Sequence, residues 1–292
     1  MLIFFSSDSY FEQIYRALAP HFKIDLLVTE PAKTGGRHHH TIKNPAHLFA
    51  DERHLATLTP EKLDEDFAKK LAQIVRAKSL MVGFIFSYGQ IVPPSVIKLF
   101  RRGILNLHPS LLPKFRGATP IQSAILQGEK ETGYSIIKIG RKLDAGAILR
   151  QGKVKIDPHD SFETLKDKIV GRALKSLPEV IEKYMQGKIK LIPQSRHGVS
   201  YCKKFTKADG ELKSDESAVA AERKIRAFST WPKATLKVKG HRLIVHQAKL
   251  IGEKLVIEKI QVPGRQIIGF AEFRRGYPNL LTGLPAYVKI KI

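Results

Sequence analysis

Four short apolar runs set what the first half of this chain can become: "LIFFSS", "KIDLLVTE", "SLMVGFIFS" and "GILNLH". Runs this short and this uniformly apolar read as strands buried on both faces, because a buried helix would need a longer stretch. Helical stretches separate them, at roughly Phe11 to Ala19, at about Pro60 to Ala77 and from near Pro93. Strands alternating with helices constrain the chain to the α/β class, a Rossmann-like, mostly parallel sheet covered on both faces. "GYSIIKIG" and "GAILRQGKVKI" supply further strands. Thr119-Pro120 is expected to cap a helix, and one long amphipathic helix, capped by Ser161, is expected from Ser161 to Gln186. After Gln186 the texture changes. "GKIKLIPQSRHGVSYCKK" is basic and irregular, like a linker, and beyond it lie one short helix near Ala218 to Phe228 and the alternating runs "ATLKVKG", "RLIVHQAKLI" and "EKLVIEKIQV". These imply a small β-barrel. The expected organisation is therefore a sheet domain over residues 1–188, a linker over 189–207 and a β-barrel domain over 208–292.

A chain of 292 residues is long enough for two such cores. No apolar run has the length of a membrane span, and the start "MLIFFSSDSYFEQ" reads as a first strand rather than a leader. The single cysteine, Cys202, excludes an internal disulfide framework and a cysteine-rich metal site, which makes a reducing cytoplasm the simplest setting. Charge is the outlier. Lys and Arg number 50 against 27 Asp and Glu, a formal +23. Residues 201–292 carry 19 Lys+Arg and 8 Asp+Glu, or +11, so the carboxyl third holds nearly half of the excess. A basic proteome or a solubility device is the plain reading, and a polyanion partner the sharper one, since clustered Lys and Arg gain affinity from phosphates by releasing counterions.

A parallel sheet invites a dinucleotide site, yet the first strand runs into "SSDSYF", with neither G-x-G-x-x-G nor a P-loop. The ligand crevice is still expected beyond the carboxyl ends of the strands. There the stretch "NLHPSLLPKFRG" places Asn106 and His108 two residues apart, and then forbids a helix with Pro109 and Pro113. Residues i and i+2 of a strand point to one side, so Asn106 and His108 aim at one point. An amide N–H can stabilise an oxyanion, and an imidazole can move a proton or share that task. Such a histidine needs a carboxylate to orient it, and Asp144 in "KLDAGAIL" is the candidate. On spacing alone, a hydrogen-bonded strand-end histidine and an ordinary turn aspartate stay open as the alternative. No Ser or Cys stands in a nucleophile-elbow context, so direct transfer to an acceptor fits better than a covalent enzyme intermediate.

"NLHPSLLPKFRGATPIQSAI" followed by "ETGYSIIKIGRKLDAGAIL" resembles the formyltransferases that use 10-formyltetrahydrofolate, whose shared pattern is Asn-x-His-x-Ser-Leu-Leu-Pro and then Leu-Asp-x-Gly. "FIFSYGQIVPPSVI" looks like the same family's Tyr-Gly segment. The carboxyl third is similar to that of the methionyl-tRNA formyltransferase branch, through "IRAFSTWPKA", the linker-like "YCKKFTKADGELKSDES" and the closing "PGRQIIGFAEFRRGYPN", so the resemblance runs over nearly the whole chain. It implies Asn106, His108 and Asp144 as the catalytic residues. It implies a folate cleft lined by Ser110, Leu111, Leu112 and Pro113 and by Tyr88, Gly89, Gln90 and Ile91. It implies an initiator methionyl-tRNA partner, met by Lys33, Arg37 and His38 in the loop "TEPAKTGGRHHHTIKN" and by Lys203, Lys204 and Lys207, and a barrel of the oligonucleotide-binding (OB) type. It implies 10-formyltetrahydrofolate as formyl donor, no metal, no membrane attachment and a monomer.

Two departures stand out. The first turn is Ser6-Ser7 where the family commonly reads Gly-Thr, and the loop carries His38, His39 and His40 in place of lysines. Metal binding by these histidines is disfavoured, because consecutive residues do not easily face one ion. Three rivals stay open here: a sugar-nucleotide formyltransferase, a purine-pathway formyltransferase with an unrelated appendage, and a non-catalytic RNA-binding relative.

Overall fold

The computed structural model describes residues 2–35, 40–75 and 82–289. In chain order the first elements are β1 (Leu2–Phe5), α1 (Phe11–Leu18), β2 (Ile24–Val28), β3 (Lys33–Gly35), β4 (His40–Ile42), α2 (Pro45–Glu52), β5 (Thr57–Leu58), α3 (Glu65–Val75), β6 (Val82–Ile85), α4 (Pro94–Ile97) and β7 (Ile104–His108). There follow β8 (Arg116–Gly117), α5 (Pro120–Gln127), β9 (Glu131–Lys138), β10 (Ile148–Lys155), α6 (Phe162–Leu174) and α7 (Leu177–Met185). The last third holds β11 (Tyr201–Cys202), a 3₁₀ turn (Lys207–Gly210), α8 (Ala218–Ala227), β12 (Ala234–Val238), β13 (His241–Ile251), β14 (Lys254–Gln261), β15 (Ile267–Gly269), α9 (Phe270–Gly276) and α10 (Pro278–Leu281). Among the described residues no helix is long and apolar enough to cross a membrane.

Seven strands form the main sheet in the order β10-β9-β7-β6-β1-β2-β5. β5, β2, β1, β6 and β7 are mutually parallel, and β9 runs antiparallel to β7. Alternation along β1 explains why all four of its residues are buried. Ile3 and Phe5 pack with Phe67 and Leu71 of α3, Val96 of α4 and Phe100. Phe4 meets Phe11 of α1 edge-on at 5.4 Å and Phe84 of β6 at 5.2 Å. Gly83 lets β6 and β7 lie close, since a Cβ there would stand 2.9 Å from Ile104. The parallel sheet with helices on its faces agrees with the sequence expectation.

By its internal contacts the chain divides into two compact units: residues 1–114, 133–153 and 169–199, and residues 115–132, 154–168 and 200–292. The first contains most of the main sheet. In the second, a four-stranded antiparallel sheet, β12-β13-β14-β15, contributes Leu236, Leu243, Val245, Leu255, Ile257 and Ile260 to one core. Ala221 and Ile225 of α8 and Phe270 and Phe273 of α9 complete that core. Parallel bridges from Glu211 to Thr235 and from Leu255 to Val288 extend the sheet.

Two local expectations are revised. The long helix of residues 161–186 is two helices, α6 and α7. Pro178 is the cause: it has no N–H to give, and its ring would collide with the carbonyl of Leu174 four residues back. Ser161 does cap α6, its hydroxyl accepting from the Thr164 N–H at 3.3 Å. Thr119 stands at the N-cap position of α5 without capping it. Its hydroxyl donates instead to the Lys203 carbonyl at 2.6 Å.

Candidate active site

Two candidate catalytic residues of the sequence stand at the end of β7. Along this strand Ile104, Leu105 and Leu107 are buried hydrophobics, so Asn106 and His108 are the polar positions of an otherwise apolar element. They lie beside the turn that holds Asp144. The Asn106 side-chain amide donates to Oδ1 of Asp144 at 3.4 Å, and Nδ1 of His108 stands 3.7 Å from Oδ2. One carboxylate thus serves both strand residues, an oxygen each. His108 is 3% exposed, and a buried imidazole takes a positive charge at high cost unless an anion faces it. The Asn106–Asp144 link was not foreseen from the sequence, where Asp144 was paired with His108 alone.

Asp144 reaches this position through an uncommon backbone. Its φ is 47°, in the left-handed region that Asp tolerates better than most residues. Two residues on, Gly146 is required by space: a Cβ there would lie 1.8 Å from the Lys138 carbonyl oxygen at the end of β9. The turn is thereby pressed against the strand next to β7.

The loop after His108 is held from below. In the β7–β9 pairing His108 is opposite Ser135, which is fully buried. The Ser135 hydroxyl donates to the Ser110 carbonyl at 2.6 Å and accepts from the Leu112 N–H at 3.0 Å. The Gln151 amide nitrogen of β10 donates both to that hydroxyl and to the Leu112 carbonyl, each at 2.8 Å. Ser110 is itself buried and donates to the Lys114 carbonyl at 2.7 Å, and the Leu112–Pro113 bond is cis. Residues 110–113 therefore form a tied loop with Leu112 buried and Leu111 and Pro113 half-buried. Ser135 and Gln151 escaped the sequence reading. A serine and a glutamine inside strands carry no motif, and only the strand register reveals what they hold.

The second expected cleft segment follows β6. Tyr88 packs edge-on against Phe5 at 5.8 Å, and burial, with the nearby Glu30 carboxylate, pushes its phenol well above the usual range. The Glu30 carboxylate lies against Gly89. Gln90 turns its side chain away into the main chain of the preceding loop: its amide oxygen accepts from the Leu63 N–H at 3.0 Å and its nitrogen donates to the Glu61 carbonyl at 3.1 Å. What Gln90 can offer a ligand is its backbone. Ile91 is 82% exposed.

The expected RNA-contacting residues are distributed differently. Lys33 lies on the β3–β4 hairpin, 3.4 Å from Glu30. Arg37 and His38, between those strands, lie outside the described residues. Lys204 and Lys207 are exposed. Lys203 is already paired, 2.5 Å from Asp209, and its ammonium sits 5.9 Å over the Phe205 ring.

Residues 1–181 match the model of the Formyl transferase family, and residues 204–268 match that of the Formyl transferase, C-terminal domain. A methionyl-tRNA formyltransferase of Acidiphilium cryptum is 33% identical over 299 aligned positions, covering 95% of this chain and 97% of the relative. One from Buchnera aphidicola subsp. Schizaphis graminum is 32% identical over 295, covering 92% and 93%. Among solved structures, an N-formyltransferase of Helicobacter canadensis in complex with folinic acid and dTDP-3-aminofucose superposes with a TM-score of 0.65 at 19% identity, over 92% of this chain and 97% of its own. That last likeness concerns the fold. The family model spans more than half of the chain and the relatives span nearly all of it, so the chain belongs to the formyl transferase family and carries its C-terminal domain as well.

Proposed function

We propose that the protein is a methionyl-tRNA formyltransferase, which moves the formyl group of 10-formyltetrahydrofolate to the α-amine of methionine carried by initiator tRNA. The observation that carries the chemistry is the Asp144 carboxylate shared between Asn106 and His108. The choice of acceptor rests on relatives of that name aligned along both domains, and the donor on the folate-dependent pattern, with a fold neighbour bound to folinic acid in support.

In this reading the methionyl amine attacks the formyl carbon directly. Asn106 and His108 donate to the oxyanion that forms, and Asp144 orients the imidazole and favours its charged form. The carbon–N10 bond of the folate then breaks. The proton lost by the amine, passed through His108 or a water, ends on N10 of tetrahydrofolate. The loop of Ser110, Leu111, Leu112 and Pro113 and the backbone and exposed face of Tyr88, Gly89, Gln90 and Ile91 are read as the folate cleft. Residues 1–188 are the proposed catalytic domain, 189–207 the linker and 208–292 an RNA-binding barrel of the OB type, which the four-stranded antiparallel sheet and its two flanking bridges support. Lys33, Arg37, His38, Lys203, Lys204 and Lys207 are the proposed tRNA contacts, and the protein acts as a cytoplasmic monomer.

An acceptor panel tests this. With 10-formyltetrahydrofolate as donor, tetrahydrofolate release is followed on addition of methionyl-tRNA, an amino-sugar nucleotide or glycinamide ribonucleotide. Rapid release with methionyl-tRNA alone is expected. Preference for either small acceptor would replace this reading with that rival.

A further inference from the structure

Asp144 is positioned by a residue fifty places away, in the stretch that reads from sequence as a linker. Gln194 directs its side-chain amide nitrogen at two main-chain oxygens of the catalytic turn, the Asp144 carbonyl at 2.7 Å and the Gly146 carbonyl at 2.8 Å. Both partners can only accept, so the nitrogen end of the amide must face them. Gln194 is itself held in place. Two residues earlier, Ile192 pairs with Ile148 at the start of β10, with reciprocal bonds of 2.8 and 2.9 Å.

We propose that Gln194 is a positioning residue for catalysis: it fixes the Asp144–Ala145 and Gly146–Ala147 peptide planes, and so aims the Asp144 carboxylate at Asn106 and His108. The need for such a fixture is visible in the backbone. Asp144 sits at a φ of 47°, which costs energy for any residue with a Cβ and persists only where the surroundings impose it. On the other side of the turn, Gly146 is pressed on the Lys138 carbonyl and the Lys138 N–H donates to the Ala147 carbonyl at 2.9 Å. Gln194 supplies the opposing hold. Since its acceptor is the carbonyl of Asp144 itself, a slackened hold is felt first at the carboxylate on the same residue.

The proposal rests on Asp144 acting as described under the proposed function, and the test keeps the two apart. Formyl transfer by the full-length protein is compared for the parent, Gln194→Leu, Gln194→Glu and Asp144→Asn, with kcat, KM for the folate donor, pH–rate profile and melting temperature measured for each. Gln194→Glu preserves shape while setting oxygens against the two carbonyls, so it decides the matter if Gln194→Leu folds poorly. Both Gln194 variants are expected to lose about tenfold in kcat, the scale set by losing donors to partly buried carbonyls. The KM for folate should stay near that of the parent, and the pH–rate profile should move in the same direction as in Asp144→Asn. Parent-like kcat and pH profile in both Gln194 variants, alongside a crippled Asp144→Asn, would overturn the positioning role alone. A parent-like Asp144→Asn would instead remove the reading of the site on which it rests.

Discussion

Asn106 and His108 both face the Asp144 carboxylate, and substitution tests the role proposed for each of the three. As the proposed oxyanion donors, His108 and Asn106 changed to Ala are each expected to lower kcat about a hundred- to a thousandfold, with tRNA affinity retained, since neither is among the proposed phosphate contacts. Steady-state kinetics beside a tRNA-binding titration separate the two quantities. Asp144→Asn keeps the shape but offers His108 no anion. It is expected to lose activity with a changed pH–rate profile, and full activity with the parent's profile would leave Asp144 an ordinary turn residue. The strand pair was legible in the sequence because alternation alone puts Asn106 and His108 on one side. The link from Asn106 to Asp144 was not, because it depends on how a turn some forty residues later folds back on the strand.

At the scale of elements, the loop of residues 110–113, proposed to line the cleft, hangs on Ser135 in the middle of β9. The Ser135 hydroxyl satisfies three partners in a buried setting, so Ser135→Ala leaves the Leu112 N–H and Ser110 carbonyl without theirs, at a cost of about 1–3 kcal/mol. A lower melting temperature together with a raised KM for the folate is the expected result, and an unchanged KM would mean that the loop does not shape the cleft. The 3₁₀ turn at Lys207–Gly210 gives a pH signature. The Lys203 ammonium, and then the N–H and hydroxyl of Thr206, hold Asp209 down to about 2 from its ordinary 3.8. A carboxylate depressed on folding stabilises the fold above its unfolded value, and that contribution is lost as pH falls from about 4 through about 2. Asp209→Asn should therefore flatten that part of the acid-unfolding curve, as read by denaturant titrations at stepped pH. Elements with a strong period were legible, among them β1, α1, β7 and the β12–β14 meander. The break between α6 and α7 is written in Pro178, which the expectation of one helix over 161–186 passes over. The β3–β4 hairpin and β15 were missed because strands of three residues carry no usable period.

The whole molecule carries a formal +23, and its carboxyl third holds nearly half of that excess. If the acceptor is a tRNA, affinity must fall steeply with salt, because each neutralised phosphate releases counterions. A log–log plot of tRNA affinity against salt should have a slope of several units. Arg37→Ala should reduce activity on initiator tRNA far more than it reduces folate binding, since the guanidinium fork suits phosphates and base edges. A two-domain formyltransferase was legible from its motifs alone. The hydrogen bonds from Gln194 to the turn of Asp144 were not, because a glutamine in an irregular basic stretch looks like any solvated residue until the fold sets it against the turn.

The most direct measurement is mass spectrometry of the amino acid released from tRNA. Methionyl-tRNA is incubated with 10-formyltetrahydrofolate and either the parent protein or the Asn106→Ala/His108→Ala double variant, and the aminoacyl ester is then hydrolysed. The account predicts N-formylmethionine with the parent and almost none with the double variant. Unformylated methionine from both reactions, or formylmethionine in equal yield from both, would contradict it.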